Sequence, residues 1–133
     1  GARVFFDARV TCAKCHRIDG RGGEIGPDLS NLARAKTPKQ ILQSILHPSS
    51  ERSPDYQGYA VVMLDGRSYL GTQFHYRGES ADLLTVDGTW IRFALEEAED
   101  YRPLDRSLMP EGLVEMMSLE ELKDLMAYLT QSR

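Results

Sequence analysis

The chain has 133 residues, 41% of them hydrophobic and 27% charged, which suits one compact domain, or a small domain carrying an insertion, and excludes a disordered segment. No apolar run approaches the roughly 18 residues that cross a bilayer, and no secretory signal pattern opens the chain, so an export signal would stand outside it. The net charge of -4 argues against nucleic acid as a partner, because phosphate binding needs a basic surface.

In chain order, "ARVFFDARVTCAKCH" sets Val4, Phe5, Ala8 and Cys12 at helical spacing, and the pattern predicts a helix to about Lys14. The glycine-rich "RIDGRGGEIGPDLSNL" follows, irregular in pattern, as suits a chain that wraps a group, with a short helix near Leu29 to Ala35. Next, Thr37 stands as cap, Pro38 at the first helical position and Gln40 as the capping-box partner. Ile41, Leu42, Ile45 and Leu46 form that helix's apolar stripe, and it ends at His47, before Pro48. From about Tyr56 the period changes to that of strands. "YAVVML", "SYLGTQFHY", "DLLTVD" and "TWIRFAL" are separated by turn residues, with a fifth strand near "EDYRPL". A last helix starts at Ser118, boxed by Glu121, and presents Leu122, Leu125, Met126 and Leu129. Helices thus flank one contiguous block of strands. The expected class is mainly α, a helical domain interrupted by a small antiparallel sheet at 55–104 (α+β overall), and the order excludes alternating βαβ units.

Both cysteines fall in "TCAKCHRIDG", with His16 directly after Cys15. A structural zinc site needs four ligands, and no second Cys/His pair exists to supply them. A thioredoxin-like pair would follow a strand, whereas a helical pattern precedes this one. A plain disulfide across one helical turn is awkward and leaves His16 without a role. Covalent haem attachment uses all three residues: each thiol adds across a vinyl group to give a thioether, and His16 lies beneath the iron as axial ligand. For the opposite axial position "SLMPEGL" offers Met109, in a loop fixed by a following proline. Met116, Met117, His47 and His75 are the alternatives, while Met63 and Met126 fall in core patterns.

These residues carry a resemblance. "ARVFFDARVTCAKCH", then "GPDL", a Met-Pro loop and a final "LMAYL" resemble a class I cytochrome c over residues 1–47 and 105–133. The resemblance implies that the first and last helices cross through Val4, Phe5, Leu125 and Tyr128, and that the Pro27 carbonyl orients His16. Over the whole chain, "ILHPSSERSPDYQGYAVVMLDGRSYLG", "LEEAEDYRPLDRSLMPEGL" and "MSLEELKDLMAYL" are similar to the haem-binding domain near the C-terminus of large exported proteins of planctomycetes and verrucomicrobia, which also carries a β insertion before its Met loop.

The expectation is therefore a single domain, 1–133, that carries electrons through haem c held by Cys12 and Cys15, with His16 and Met109 as iron ligands, in an extracytoplasmic setting. A redox partner protein or a fused dehydrogenase-like domain would perform any catalysis. A haem sensor or peroxidase with a labile sixth ligand, or an interaction module built on the sheet, is the alternative. His75 and Asp82 have no nucleophile beside them and suit an ordinary surface, whereas Trp90 and Tyr69 suit sheet core. Charge is uneven: residues 1–40 hold eight Lys/Arg against four Asp/Glu, and the rest eight against sixteen. Lys14, Arg17 and Arg21, around the cysteines, would steer an acidic partner.

Overall fold

The predicted first helix is, in the computed structural model, two single turns, α1 (Ala2–Phe5) and α2 (Cys12–Cys15). Between them the Asp7 carboxylate accepts from the Arg9 backbone N–H and from its guanidinium, and Thr11 adopts a left-handed φ of 57°. A short acidic side chain that bonds nearby backbone offers the chain an alternative to the helical ladder. Ala8, expected on the apolar face, is exposed, and Val10 fills the core instead.

The structure describes residues 1–50 and 56–133. Two short strands, β1 (Arg17–Ile18) and β2 (Arg21–Gly22), pair after α2, and α3 (Leu32–Ala35) and α4 (Pro38–Leu46) follow. Thr37 and Gln40 form both halves of a capping box on α4, whose buried side chains are Ile41 and Ile45; Leu46 is left exposed. α5 (Leu119–Leu129) repeats the device with Ser118 and Glu121, and buries Leu125 and Leu129. These elements belong to one compact unit, Gly1–Glu51 with Met109–Arg133. Its core joins Val4, Phe5, Val10, Ile18, Ile41, Ile45, Leu125 and Leu129, and the Phe5 ring lies 5.8 Å from that of Tyr128.

The other unit, Arg52–Leu108, is one antiparallel sheet. Its strands are β3 (Tyr59–Met63), β4 (Ser68–Tyr76), β5 (Ser80–Thr85), β6 (Trp90–Ala94) and β7 (Ala98–Pro103), in the order β6-β5-β4-β3-β7. After a 3₁₀ turn at Leu95–Glu97, the last strand returns to the free edge of β3 rather than extending the meander beyond β6. Val61, Met63, Ala81, Leu83 and Phe93 form the core of this unit, with Phe74 stacked between Tyr59 and Tyr101. The expected insertion began at residue 55, which lies outside the described residues.

The expectation of a mainly α class is overturned: 31% of the structure is helical and 28% strand. Two causes act together. The N-terminal helix is broken by Asp7 and Thr11, and the helices that form among the described residues are five short ones. The five strands then nearly match the helices in share. Trp90, expected in the sheet core, is 51% exposed, whereas Tyr69 is partly buried against that core.

Candidate functional site

The turn α2 is closed at its end by a hydrogen bond from the His16 N–H to the Cys12 carbonyl at 2.9 Å. Its other carbonyls would be orphans, as at any helix end. The glycine-rich loop that follows supplies their donors: Gly23 N–H bonds the Ala13 carbonyl at 2.9 Å and Gly26 N–H bonds the Cys15 carbonyl at 2.7 Å. The loop thus folds back onto the turn that carries the cysteines, and Leu29 N–H continues the contact to the Arg17 carbonyl at 2.7 Å.

Such close backbone approach needs glycine. A Cβ on Gly26 would stand 2.6 Å from Cε1 of His16, so the imidazole lies flat against bare backbone. From there Nδ1 of His16 donates to the Pro27 carbonyl at 2.8 Å, which fixes the ring's orientation and leaves Nε2 as its lone-pair nitrogen. Burial pushes the imidazole below its ordinary pKa, against the opposing pull of the Pro27 bond, so the neutral, ligating form is favoured.

Cys12 and Cys15 are both free thiols, with no disulfide between them. Burial pushes Cys12 up to about 11. Cys15 is raised for the same reason, partly offset by Lys14. Both therefore stay protonated near neutrality, and neither is poised as a thiolate for redox exchange.

Among the other candidates, Met109 and Met117 are partly buried against the core of the first unit, as is Cys12. Met116 is 52% exposed and Met126 packs along α5 on the same core. His47 is exposed at the end of α4, and His75 is exposed on the sheet. Arg17 bonds Glu24 at 3.1 Å, the Arg21 guanidinium lies 4.2 Å from the centre of the Phe6 ring, and Lys14 is exposed. Gly26 opens the "GPDL" stretch, but its contact with His16 is not encoded in that pattern. The glycine-rich run was the signal, but its contact with a ring ten residues earlier is visible only in three dimensions.

The arrangement fits a haem. Two free thiols one turn apart, an oriented neutral imidazole, and the half-covered apolar side chains of Cys12, Ala13, Leu29, Leu32 and Met109 around one core suit a flat apolar macrocycle with an iron at its centre. Among the described residues no group of three or more His, Cys, Asp or Glu is gathered that could hold a bare metal ion. Among curated proteins, no relative matches the chain. A family model described as Cytochrome c matches residues 1–68, a span that includes Cys12, Cys15, His16 and Pro27 and stops short of Met109. That match covers just over half of the sequence, and the family's cofactor is covalently bound haem c with its iron. The chain belongs to the cytochrome c family.

Proposed function

We propose that this chain is a one-electron carrier in which Cys12 and Cys15 would hold a haem, and His16 and Met109 would ligate its iron. When bound, the haem supplies a reversible ferric/ferrous couple, made relatively positive by a thioether ligand. The protein's own part is to orient, bury and connect. His16 is held in one tautomer by Pro27, and Met109 brings a neutral sulfur to the same core. The observation that carries this reading is the Nδ1 bond to the Pro27 carbonyl, directly after a cysteine turn whose thiols are both free. A haem-sensing or peroxidatic role would require an iron that His16 ligates and Met109 leaves free.

The same reading treats 1–133 as a single domain interrupted at 55–104, and it assigns catalysis to a redox partner or fused dehydrogenase-like domain outside the cytoplasm. Its support is the family's usual extracytoplasmic setting and the resemblance to exported haem-binding domains. No helix among the described residues is long and apolar enough to cross a membrane.

Protein matured with the c-type assembly machinery should gain the mass of one haem, and the haem should survive denaturing electrophoresis. The oxidised form should show the weak far-red band of an iron–thioether bond, which Met109→Ala should remove. Absence of the mass increment would end the attachment claim. Persistence of the band in Met109→Ala would pass the ligand role to Met117 or Met116, and a carbon monoxide complex formed at once by the reduced parent would favour the sensor reading.

A further inference from the structure

The second unit carries a polar cluster unconnected with the residues above. Register places His75 of β4 opposite Asp82 of β5, and Asp82 opposite Arg92 of β6, so the three stand in a row on one face of the sheet. Trp90 lies two residues from Arg92 and therefore on that same face. Arg77, just past β4, completes the group.

Asp82 organises it. The carboxylate accepts from Arg77 Nε, from Arg92 Nε at 2.7 Å and from Arg92 Nη2 at 3.3 Å. These two guanidiniums hold its carboxyl below the usual carboxylate range, at about 2. The carboxylate itself is nearly covered, at 12% exposure, while the Arg77 and Arg92 side chains are 54% and 62% exposed. One covered anion thus fixes two cations. The cluster keeps a net positive charge, and the outward N–H groups of both guanidiniums take no other acceptor among the described residues.

Beside these donors the Trp90 ring is 51% exposed, 5.8 Å from the His75 ring. Together His75, Arg77, Asp82, Trp90, Ile91 and Arg92 line a wide-open surface concavity of about 470 Å³. Pinning a hairpin does not require this. Exposed ion pairs contribute on the order of 0–1 kcal/mol each, and a half-exposed tryptophan lining the same concavity adds nothing to a salt bridge. The features have one purpose in common: planar forks that match an oxyanion in two-point contact, and a flat apolar wall next to them.

We propose that this concavity binds a small organic anion built on a ring, with its carboxylate on the Arg77 and Arg92 forks and its ring face against Trp90. Two sources share that chemistry, an aromatic carboxylate and an acidic sugar. Benzoate and glucuronate are the probes for each, and benzyl alcohol and glucose are their neutral counterparts. Trp90 is the chain's one tryptophan, so in the reduced, diamagnetic haem protein its indole N–H gives a single resonance to follow by titration.

At least one anion should shift that resonance saturably, and its neutral counterpart should bind at least about tenfold more weakly, a gap of about 1.4 kcal/mol. Arg92→Gln should weaken the anion by a similar factor. If Arg92→Gln loses the dispersed amide signals of β5 and β6, Arg77→Gln carries the test, because Arg77 lies outside both strands. Saturation by benzoate alone identifies an aromatic carboxylate, and by glucuronate alone an acidic sugar. No saturation by either anion, equal affinity for a neutral counterpart, or unchanged affinity in the folded glutamine variant would overturn the proposal. The titration follows the Trp90 indole and the glutamine variants rather than the haem spectrum or electron transfer, so its failure and that of the electron-transfer reading are distinguishable.

Discussion

At the scale of single residues, the attachment region depends on one missing methyl group. Gly26 lets the His16 ring lie against the backbone, and the Nδ1 bond to Pro27 depends on that approach. Gly26→Ala would put a carbon 2.6 Å from the imidazole, so either the ring or the loop must move. Overpacking of this kind costs about 1–3 kcal/mol. Guanidinium unfolding of the haem protein, followed by visible absorbance, should register that loss together with an altered iron–imidazole spectrum. A variant with parental stability and spectrum would show that the loop yields freely. Asp82 offers a second residue-level test, through pH. Its folded-state pKa is depressed by Arg92 and Arg77, so the unfolded chain takes up its proton first as pH falls. Its stabilisation is present above the ordinary carboxylate range near 3.8 and is lost as pH falls towards about 2. The melting-temperature gap between parent and Asp82→Asn should accordingly be full at pH 7 and should close on acidification through that window.

At the scale of elements, the two capping boxes are the clearest local devices. In α5 the Ser118 hydroxyl accepts from the Glu121 N–H at 3.1 Å, and the Glu121 carboxylate accepts from the Ser118 N–H at 2.9 Å and from the Arg9 guanidinium. Ser118→Ala should lower the unfolding free energy by about 1 kcal/mol, measured by denaturant titration, with the haem spectrum unchanged. Both boxes were legible in the sequence because every partner lies within three residues. The break between α1 and α2 was not, since apolar spacing continued through it while Asp7 and Thr11 opposed the helix locally. The strands from β3 to β7 were likewise legible as strands, but the return of β7 to β3 depends on a non-local pairing that no short pattern encodes. Period-two alternation marks Trp90 as a residue of one face, yet does not say whether that face is covered. The attachment signature was readable because its chemistry is contiguous, from Cys12 to His16. Gly26 and the Arg77, Asp82 and Arg92 trio act across loops or strands and become visible only once folded.

At the scale of the whole molecule, the proposed encounter with a redox partner is a matter of charge. The positive surplus of residues 1–40 includes Lys14, Arg17 and Arg21, but the three are not equivalent. Arg17 is held by Glu24, and Arg21 lies over the Phe6 ring. Lys14 is exposed on the turn between the two cysteines, which makes it the cation best placed to act on an approaching acidic surface. A field of this kind raises the encounter rate and is suppressed by salt, as the screening length falls from about 30 Å at 0.01 M to about 3 Å at 1 M. Lys14→Glu reverses that charge without breaking the Arg17 pair. Against a soluble acidic acceptor, stopped-flow oxidation of the reduced protein should be several-fold slower for Lys14→Glu than for the parent at low salt, and the two rates should converge at high salt. If electrons instead leave through a tethered neighbouring domain, encounter is not limiting and the two proteins should react alike at every ionic strength. Equal rates at low salt would therefore remove steering from the account while leaving the proposed haem assignment untouched.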